Sequence, residues 1–172
     1  VTFIIKNDVF HVCSRSLDLL DDGSNMIWRV AKEMKIEEKL RLLKGISKDE
    51  RYALQGEIVG EKIQKNTLKI TGHKIYFFSV YDFIEGKYLG YSYFRFILTA
   101  LGLPVVPVLK TYMVLPKTVD EVVAFAIRKS VINPNGWAEG VVFRPMVEIQ
   151  DEDLKTHVSF KVMNPNYLPE YD

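Results

Sequence analysis

The amino-acid sequence predicts an α+β fold with antiparallel β-sheets flanked by helices. Short runs rich in β-branched and aromatic residues recur along the chain, which is typical of strands. About three other segments space their apolar residues as amphipathic helices do. The two kinds of segment do not alternate in the strict rhythm of βαβ units, so antiparallel pairing is favoured over a parallel sheet.

The N-terminal part is expected to form a hairpin followed by helix. Residues 1–5 and 9–13 are β-rich, and the Asn and Asp between them suit the left-handed positions of a tight turn. His11 and Cys13 are expected to point to opposite faces of the second strand and to do no chemistry. Helical spacing then runs over residues 26–34 and continues to Leu43, with Gly45 as the expected stop.

The remainder mixes strands with two further helices. Strands are predicted over residues 52–59, with an interruption at Gly56, over 74–83 and over 158–163, while 105–114 gives mixed strand signals. Residues 94–101 are expected to be helical. Thr118 and Glu121 have the spacing of a capping box, so another helix should begin there.

Length and composition restrict the functional class. A chain of 172 residues is long enough for one domain with a real core. Its formal net charge of +1 excludes a globally basic nucleic-acid binder, so any such surface must be a local patch. The single Cys13 excludes an internal disulfide framework and fits the reducing cytoplasm. The apolar runs are far shorter than the ~20 residues of a membrane span, so no membrane association is expected.

The stretch over residues 137–145 carries the most chemical information. Glu139 should lie at the mouth of a strand that starts at Gly140, where the missing side chain would let a ligand approach the backbone. Arg144 closes the strand and suits phosphate or carboxylate, and it is the only basic residue near Glu139 in sequence. A core strand with charged ends is the alternative interpretation.

Three further features gain meaning from their order along the chain. Gly56-Glu57 is a second Gly-Glu pair in a β-rich run, Tyr81-Asp82 ends an aromatic strand, and Lys161 stands inside an apolar strand. Each also has an ordinary structural interpretation: a solvated strand-end charge, a core aromatic ring, and a lysine whose ammonium reaches water.

Taken in order, these motifs resemble those of the covalent nucleotidyltransferases, which include ATP-dependent RNA and DNA ligases and mRNA capping guanylyltransferases. Within that superfamily the chain is similar to ATP-dependent RNA ligases of the phage-type nick-sealing branch and their bacterial relatives. The residues that carry the resemblance, in chain order, are Cys13-Ser14-Arg15, Gly56-Glu57, Ile63-Gln64-Lys65-Asn66, Tyr81-Asp82, Glu139-Gly140-Val141-Val142 with Arg144-Pro145, and Ser159-Phe160-Lys161.

The resemblance implies a nucleotidyltransferase (ATP-grasp-like) ligase domain over residues 1–172 and a cytoplasmic role in RNA repair. A lysine would take AMP from ATP, pass it to an RNA 5′-phosphate, and a 3′-hydroxyl would then seal the strand. The resemblance implies that Glu139 binds a divalent metal, Mg²⁺ or Mn²⁺, and that Lys161 contacts the α-phosphate of ATP. It implies that Glu57 binds the ribose and that Tyr81 stacks on the adenine. Arg15 would bind the nucleic-acid phosphate, and Lys65 would contact the RNA backbone.

The chain also departs from the family pattern. The first motif, which carries the adenylylated lysine, belongs just upstream of Val1 and is not in this sequence, so an N-terminally truncated and inactive domain is expected. Met163 stands where many members have a second lysine. A DNA ligase, a capping enzyme and a non-catalytic nucleotide- or RNA-binding module therefore remain alternatives.

Overall fold

The computed structural model describes residues 1–44, 50–151 and 156–167. It confirms the predicted α+β class with antiparallel sheets. The chain divides into two compact units, one of Val1–Val59 with His73–Val106 and one of Gly60–Gly72 with the residues from Pro107 onward. Gly45, the expected helix stop, lies outside the described residues. None of the helices that are described is long and apolar enough to cross a membrane.

The first unit is built on a five-stranded sheet with the order β2-β1-β3-β4-β5. Strand β1 pairs antiparallel with both β2 and β3, and β4 pairs antiparallel with β5. The strands are β1 (Thr2–Lys6), β2 (Val9–Cys13), β3 (Tyr52–Gly60), β4 (His73–Asp82) and β5 (Lys87–Tyr88).

The first hairpin has the predicted turn. Asn7 and Asp8 take positive φ values of 51° and 63°, as a two-residue turn between twisted strands requires. The carboxylate of Glu50 accepts hydrogen bonds from both backbone N–H groups, each at 2.5 Å. The turn is therefore held by a contact from a distant residue as well as by its own residue types.

Three helices accompany this sheet: α1 (Met26–Glu33), α2 (Ile36–Lys44) and α3 (Tyr91–Ala100). The Asn25 side chain caps α1 by accepting from the N–H of Ile27 at 3.0 Å. The apolar spacing predicted a stripe that continues past Met34. The apolar stripe does continue as buried residues of α2, but a φ of 52° at Lys35 ends α1 and separates the two helices.

Gly56 does not interrupt its strand, contrary to expectation, because β3 runs through it. A Cβ atom at this position would lie 2.8 Å from both the Ile75 Cγ2 atom and the Tyr76 carbonyl oxygen. Glycine is therefore required for the close approach of β4 to β3. The same packing continues into the core, where the rings of Phe3 and Phe77 are 5.9 Å apart.

The second unit contains α4 (Val119–Ala126) and two short antiparallel pairs, β6 (Gly140–Phe143) with β9 (Phe160–Met163) and β7 (Gln150–Asp151) with β8 (Thr156–His157). Thr118 and Glu121 form the predicted capping box at the start of α4. Phe125 of α4 packs on Phe143 of β6 at 5.7 Å, so one face of the β6–β9 pair is covered by the helix.

The strand signals over residues 105–114 do not produce a strand. Val105 forms one isolated parallel bridge with Phe77, and the residues after it up to 114 are irregular in the structure. Pro107 cannot donate a backbone hydrogen bond, which explains why the pairing does not continue.

Candidate functional site

Glu139 and Lys161 are the predicted site residues that the structure brings together. The Lys161 Nζ atom donates to Glu139 Oε1 at 2.5 Å, and the two side chains are 45% and 47% exposed respectively. Lys161 is the register partner of Val142, which is 59% exposed. An acidic and a basic side chain thus meet beside the solvent-exposed face of the β6–β9 pair, where a ligand can reach both.

Gly140 serves the fold in a way the sequence did not indicate. A Cβ atom there would lie 2.1 Å from the Val162 carbonyl oxygen and 3.1 Å from Met163 Cα. The close approach that requires glycine is therefore made by the backbone of β9.

Arg144 is not the basic partner of Glu139. Its guanidinium lies 3.5 Å from the carboxylate of Glu148, which is four residues further along the chain. The basic group beside Glu139 is Lys161, which is 22 residues away in sequence. The expectation that Glu139 lacks a basic neighbour other than Arg144 was therefore wrong, because strand pairing brings in a residue that sequence proximity does not show.

Glu57 is exposed on β3, directly after the close contact at Gly56. The N–H of Gly56 donates to the Val1 carbonyl oxygen at 3.0 Å, so the start of β1 lies beside Gly56. Glu57 therefore follows the residue of β3 that pairs with Val1, which directly precedes β1.

Tyr81 is half-buried and its ring is held by two other aromatic rings. Tyr88, its register partner, and Phe83 both meet it close to edge-on, with centroids 5.1 Å and 5.3 Å away. This arrangement fixes the ring plane, which suits a residue that is to stack on a flat ligand.

Asp82, the acidic residue of the same motif, is buried and hydrogen-bonded within the fold. It is 1% exposed and accepts from Arg51 Nε at 2.8 Å and from the N–H groups of Ile84 and Glu85 at 3.0 Å and 3.2 Å. Burial alone would raise its pKa, but the hydrogen bonds from Arg51 and from these two amides hold the pKa below its usual value. Arg51 carries no local sequence signal, and the sequence reasoning missed it.

Arg15 is exposed on the turn after β2, which is closed by a hydrogen bond from the Ser14 N–H to the Leu17 carbonyl oxygen at 2.8 Å.

His11 and Cys13 are two residues apart on β2, and both approach the Asp18 carboxylate. The His11 Nδ1 atom is 2.7 Å from it and the Cys13 Sγ atom is 3.8 Å from it. The expectation that they point to opposite faces was wrong, because alternate residues of a strand share a face.

Lys65 lies in a turn that has a left-handed backbone. Gln64, Lys65 and Asn66 have φ values of 41°, 58° and 47°. The Asn66 side chain exchanges two 3.0 Å hydrogen bonds with the backbone of Ile70, which holds this disfavoured conformation. The exposed Lys65 is therefore displayed by a fixed turn.

The predicted residues are divided between the two units. Arg15, Glu57 and Tyr81 belong to the first, and Lys65, Glu139 and Lys161 to the second. Among the described residues there is no group of three or more His, Cys, Asp or Glu side chains that could hold a metal. A single half-exposed carboxylate such as Glu139 fits a hard cation that keeps several waters and also binds substrate phosphates, as Mg²⁺ does.

Comparison with known proteins identifies the family. The model of the RNA ligase family matches residues 1–163. A search of curated proteins finds no match.

Among solved structures, Naegleria gruberi RNA ligase with PPi is 31% identical, with a TM-score of 0.84 over 99% of this chain and 48% of that one. A lysine-to-alanine variant of that ligase with ATP and Mn has the same identity and TM-score over 98% of this chain and 48% of that one. A lysine-to-methionine variant with AMP and Mn also has this identity and TM-score, over 98% of this chain and 47% of that one. This chain therefore spans about half the length of the ligases it matches, and it belongs to the RNA ligase family.

Proposed function

We propose that this chain is the nucleotidyltransferase domain of an ATP-dependent RNA ligase, which joins RNA 3′-OH and 5′-phosphate ends through a lysyl-AMP intermediate. The similar Naegleria ligase has been solved with ATP, with AMP and with PPi. ATP is the substrate of an adenylylation step, PPi is its leaving group, and AMP is the part that is retained. These three ligands support the same chemistry for this domain.

The observation that carries the proposal is the exposed contact between Glu139 and Lys161. Phosphoryl transfer depends mainly on positive charge placed against the phosphate oxygens. Lys161 offers an ammonium group for the α-phosphate of ATP. Glu139 offers oxygen to a divalent cation, Mg²⁺ or Mn²⁺, which supplies further positive charge to the phosphates when it is bound. The contact keeps both groups at one place before the nucleotide arrives.

Glu57 and Tyr81 are the residues proposed to bind the ribose and the adenine of ATP. Glu57, which is acceptor-only when ionised, receives hydrogen bonds from the ribose hydroxyls. Tyr81 stacks on adenine, a contact worth about 1–3 kcal/mol for base–aromatic pairs. Because Val1 lies beside Gly56 in the antiparallel sheet, residues preceding Val1 in a longer chain would continue toward Glu57. The proposed adenylylated lysine belongs to that upstream segment.

Two exposed cations are proposed to bind the RNA. Arg15 takes the 5′-phosphate, since its guanidinium can donate two hydrogen bonds to one phosphate group. Lys65 contacts the RNA backbone from its left-handed turn. On this proposal the enzyme uses Mg²⁺ in the cytoplasm and serves RNA repair, a role that rests on the motif resemblance.

The test is single-turnover sealing of a pre-adenylylated RNA nick by the full-length protein across a Mg²⁺ titration. Glu139→Ala is expected to abolish or greatly slow sealing. Glu139→Gln should be nearly as damaging because an amide is a poor Mg²⁺ ligand, and Glu139→Asp should be intermediate at best. Glu85→Gln, which removes another exposed carboxylate, is the control and should seal at the parental rate.

Circular dichroism checks that each variant is folded. A folded Glu139→Ala protein that seals at the parental rate would remove the metal assignment and most of the support for ligase activity. Failure of the parent to transfer label from ATP to itself would refute the proposed reaction as a whole.

A further inference from the structure

Asn164, which follows β9, is completely buried and uses all the hydrogen-bonding capacity of its side-chain N–H₂ group. Its relative exposure is 0%. The Nδ2 atom donates to the Ala138 carbonyl oxygen at 2.9 Å and to the Arg128 carbonyl oxygen at 3.3 Å. Oδ1 accepts from the N–H of Asn166 at 3.0 Å. These partners also define the orientation of the amide, since two acceptors face one end and a donor faces the other.

The backbone of Asn164 makes a further contact to the candidate site. Its N–H donates to the Glu139 carbonyl oxygen at 2.9 Å, which continues the register that pairs Gly140 with Met163. The carbonyl of Ala138 belongs to the peptide group before the Glu139 Cα, and the carbonyl of Glu139 belongs to the one after it. Asn164 therefore holds the peptide groups on both sides of Glu139.

Holding both peptide groups restricts φ and ψ of Glu139, and these two angles set the direction of its Cα–Cβ bond. An exposed glutamate side chain has little packing of its own to direct it. Lys161 lies in β9, three residues before Asn164. The direction in which the Glu139 side chain leaves the backbone is thus restricted by a buried residue.

We infer that Asn164 is a positioning residue, which aims the Glu139 carboxylate at the metal and phosphate position. The inference rests on the proposed function. Only a side chain with two donors and an acceptor at this length can make the observed set of contacts. Aspartate would present oxygen to the Ala138 and Arg128 carbonyls, and serine is too short to reach them.

Asn164→Ser in the full-length protein separates this role from the turn that follows β9. A serine hydroxyl can still accept from the N–H of Asn166, as hydroxyls do in such turns, but the donors to Ala138 and Arg128 are lost. The measurement is Mn²⁺ binding in the presence of a non-hydrolysable ATP analogue, followed by the electron paramagnetic resonance signal of free Mn²⁺. The half-saturating Mn²⁺ concentration should rise roughly tenfold, a typical effect of losing a group that orients a metal ligand.

Asn133→Ala is the matched control. Asn133 is a buried asparagine of the same unit whose amide donates to the Thr67 carbonyl oxygen at 2.8 Å. Its loss should lower stability without moving the Mn²⁺ curve. An equal shift in Asn133→Ala and Asn164→Ser would overturn the inference, because the effect would then be a general loss of order.

Adenylylation by Asn164→Ser should be slow at low Mn²⁺ and should largely recover at saturating Mn²⁺. An unshifted binding curve overturns the inference. Asn164→Thr, which fills more of the asparagine volume, is the second variant, and failure of both variants to fold while Asn133→Ala folds would show a purely structural role. A parent that neither binds Mn²⁺ with the analogue nor forms an adenylate refutes the proposed function instead.

Discussion

Removal of the Glu139–Lys161 ion pair is expected to cost little stability although it should remove most of the activity. The Nζ and Oε1 atoms are 2.5 Å apart, yet nearly half of each side chain is exposed to solvent. Exposed pairs contribute about 0.2–1 kcal/mol because water screens the charges and two long side chains must be ordered. Glu139→Gln and Lys161→Met should each lower the free energy of unfolding by at most about 1 kcal/mol.

The buried pair of the same chain provides the contrast. Asp82 is 1% exposed and meets the Arg51 guanidinium at 2.8 Å and 2.6 Å. Breaking a buried pair leaves an uncompensated charge, which typically costs about 3–5 kcal/mol. Since Arg51 is 29% exposed, Asp82→Ala should fall near the lower end, about 3 kcal/mol. Two ion pairs of similar length are thus predicted to differ severalfold in how much they contribute to the free energy of unfolding.

The assay is urea unfolding of the full-length protein, with a double-mutant cycle on Glu139 and Lys161 and with Asp82→Ala measured beside it. The coupling energy of the cycle should be below about 1 kcal/mol. A coupling energy near 3 kcal/mol would show that the pair is structural and would refute the reasoning from exposure. Sealing rates measured on the same samples should fall in both single variants, and unchanged rates would contradict the catalytic role.

Three further predictions test other parts of the structure. Gly140→Ala should disrupt β6–β9 pairing and lower the free energy of unfolding by at least about 1–3 kcal/mol, because the new Cβ would meet the Val162 carbonyl. An unchanged melting temperature in differential scanning calorimetry would contradict this. Glu57→Gln should weaken ATP binding by about 1.5–3 kcal/mol and make ATP and 2′,3′-dideoxy-ATP bind almost equally in calorimetry; a retained preference for ATP would assign the ribose to another residue. The lowered pKa of Asp82 means that its pair with Arg51 stabilises the fold above the usual aspartate pKa of 3.8, and that this contribution is lost as pH falls through the folded pKa. Unfolding followed from pH 6 to 3 should show that loss in the parent and a smaller one in Asp82→Asn, and equal slopes would contradict the assignment.

Features that depend on residues close in sequence were predictable. The turn at Asn7 and Asp8 follows from side chains that tolerate positive φ, and the start of α4 follows from Thr118 and Glu121, which bond to each other's backbone. The order of the motifs predicted the family, since motif residues are read directly from the chain. In each case the determining interaction spans only a few residues or lies in the residue types themselves.

The contacts that build the candidate site were decided by tertiary structure. Lys161 meets Glu139, and Arg51 meets Asp82, across 22 and 31 residues of sequence. Asn164 holds the peptide groups around Glu139 although the two residues are far apart in sequence. Strand pairing selects these partners, and it depends on how the apolar faces of the whole chain pack together. A local pattern can therefore show that Glu139 is chemically informative, but only the paired strands determine which residues face it.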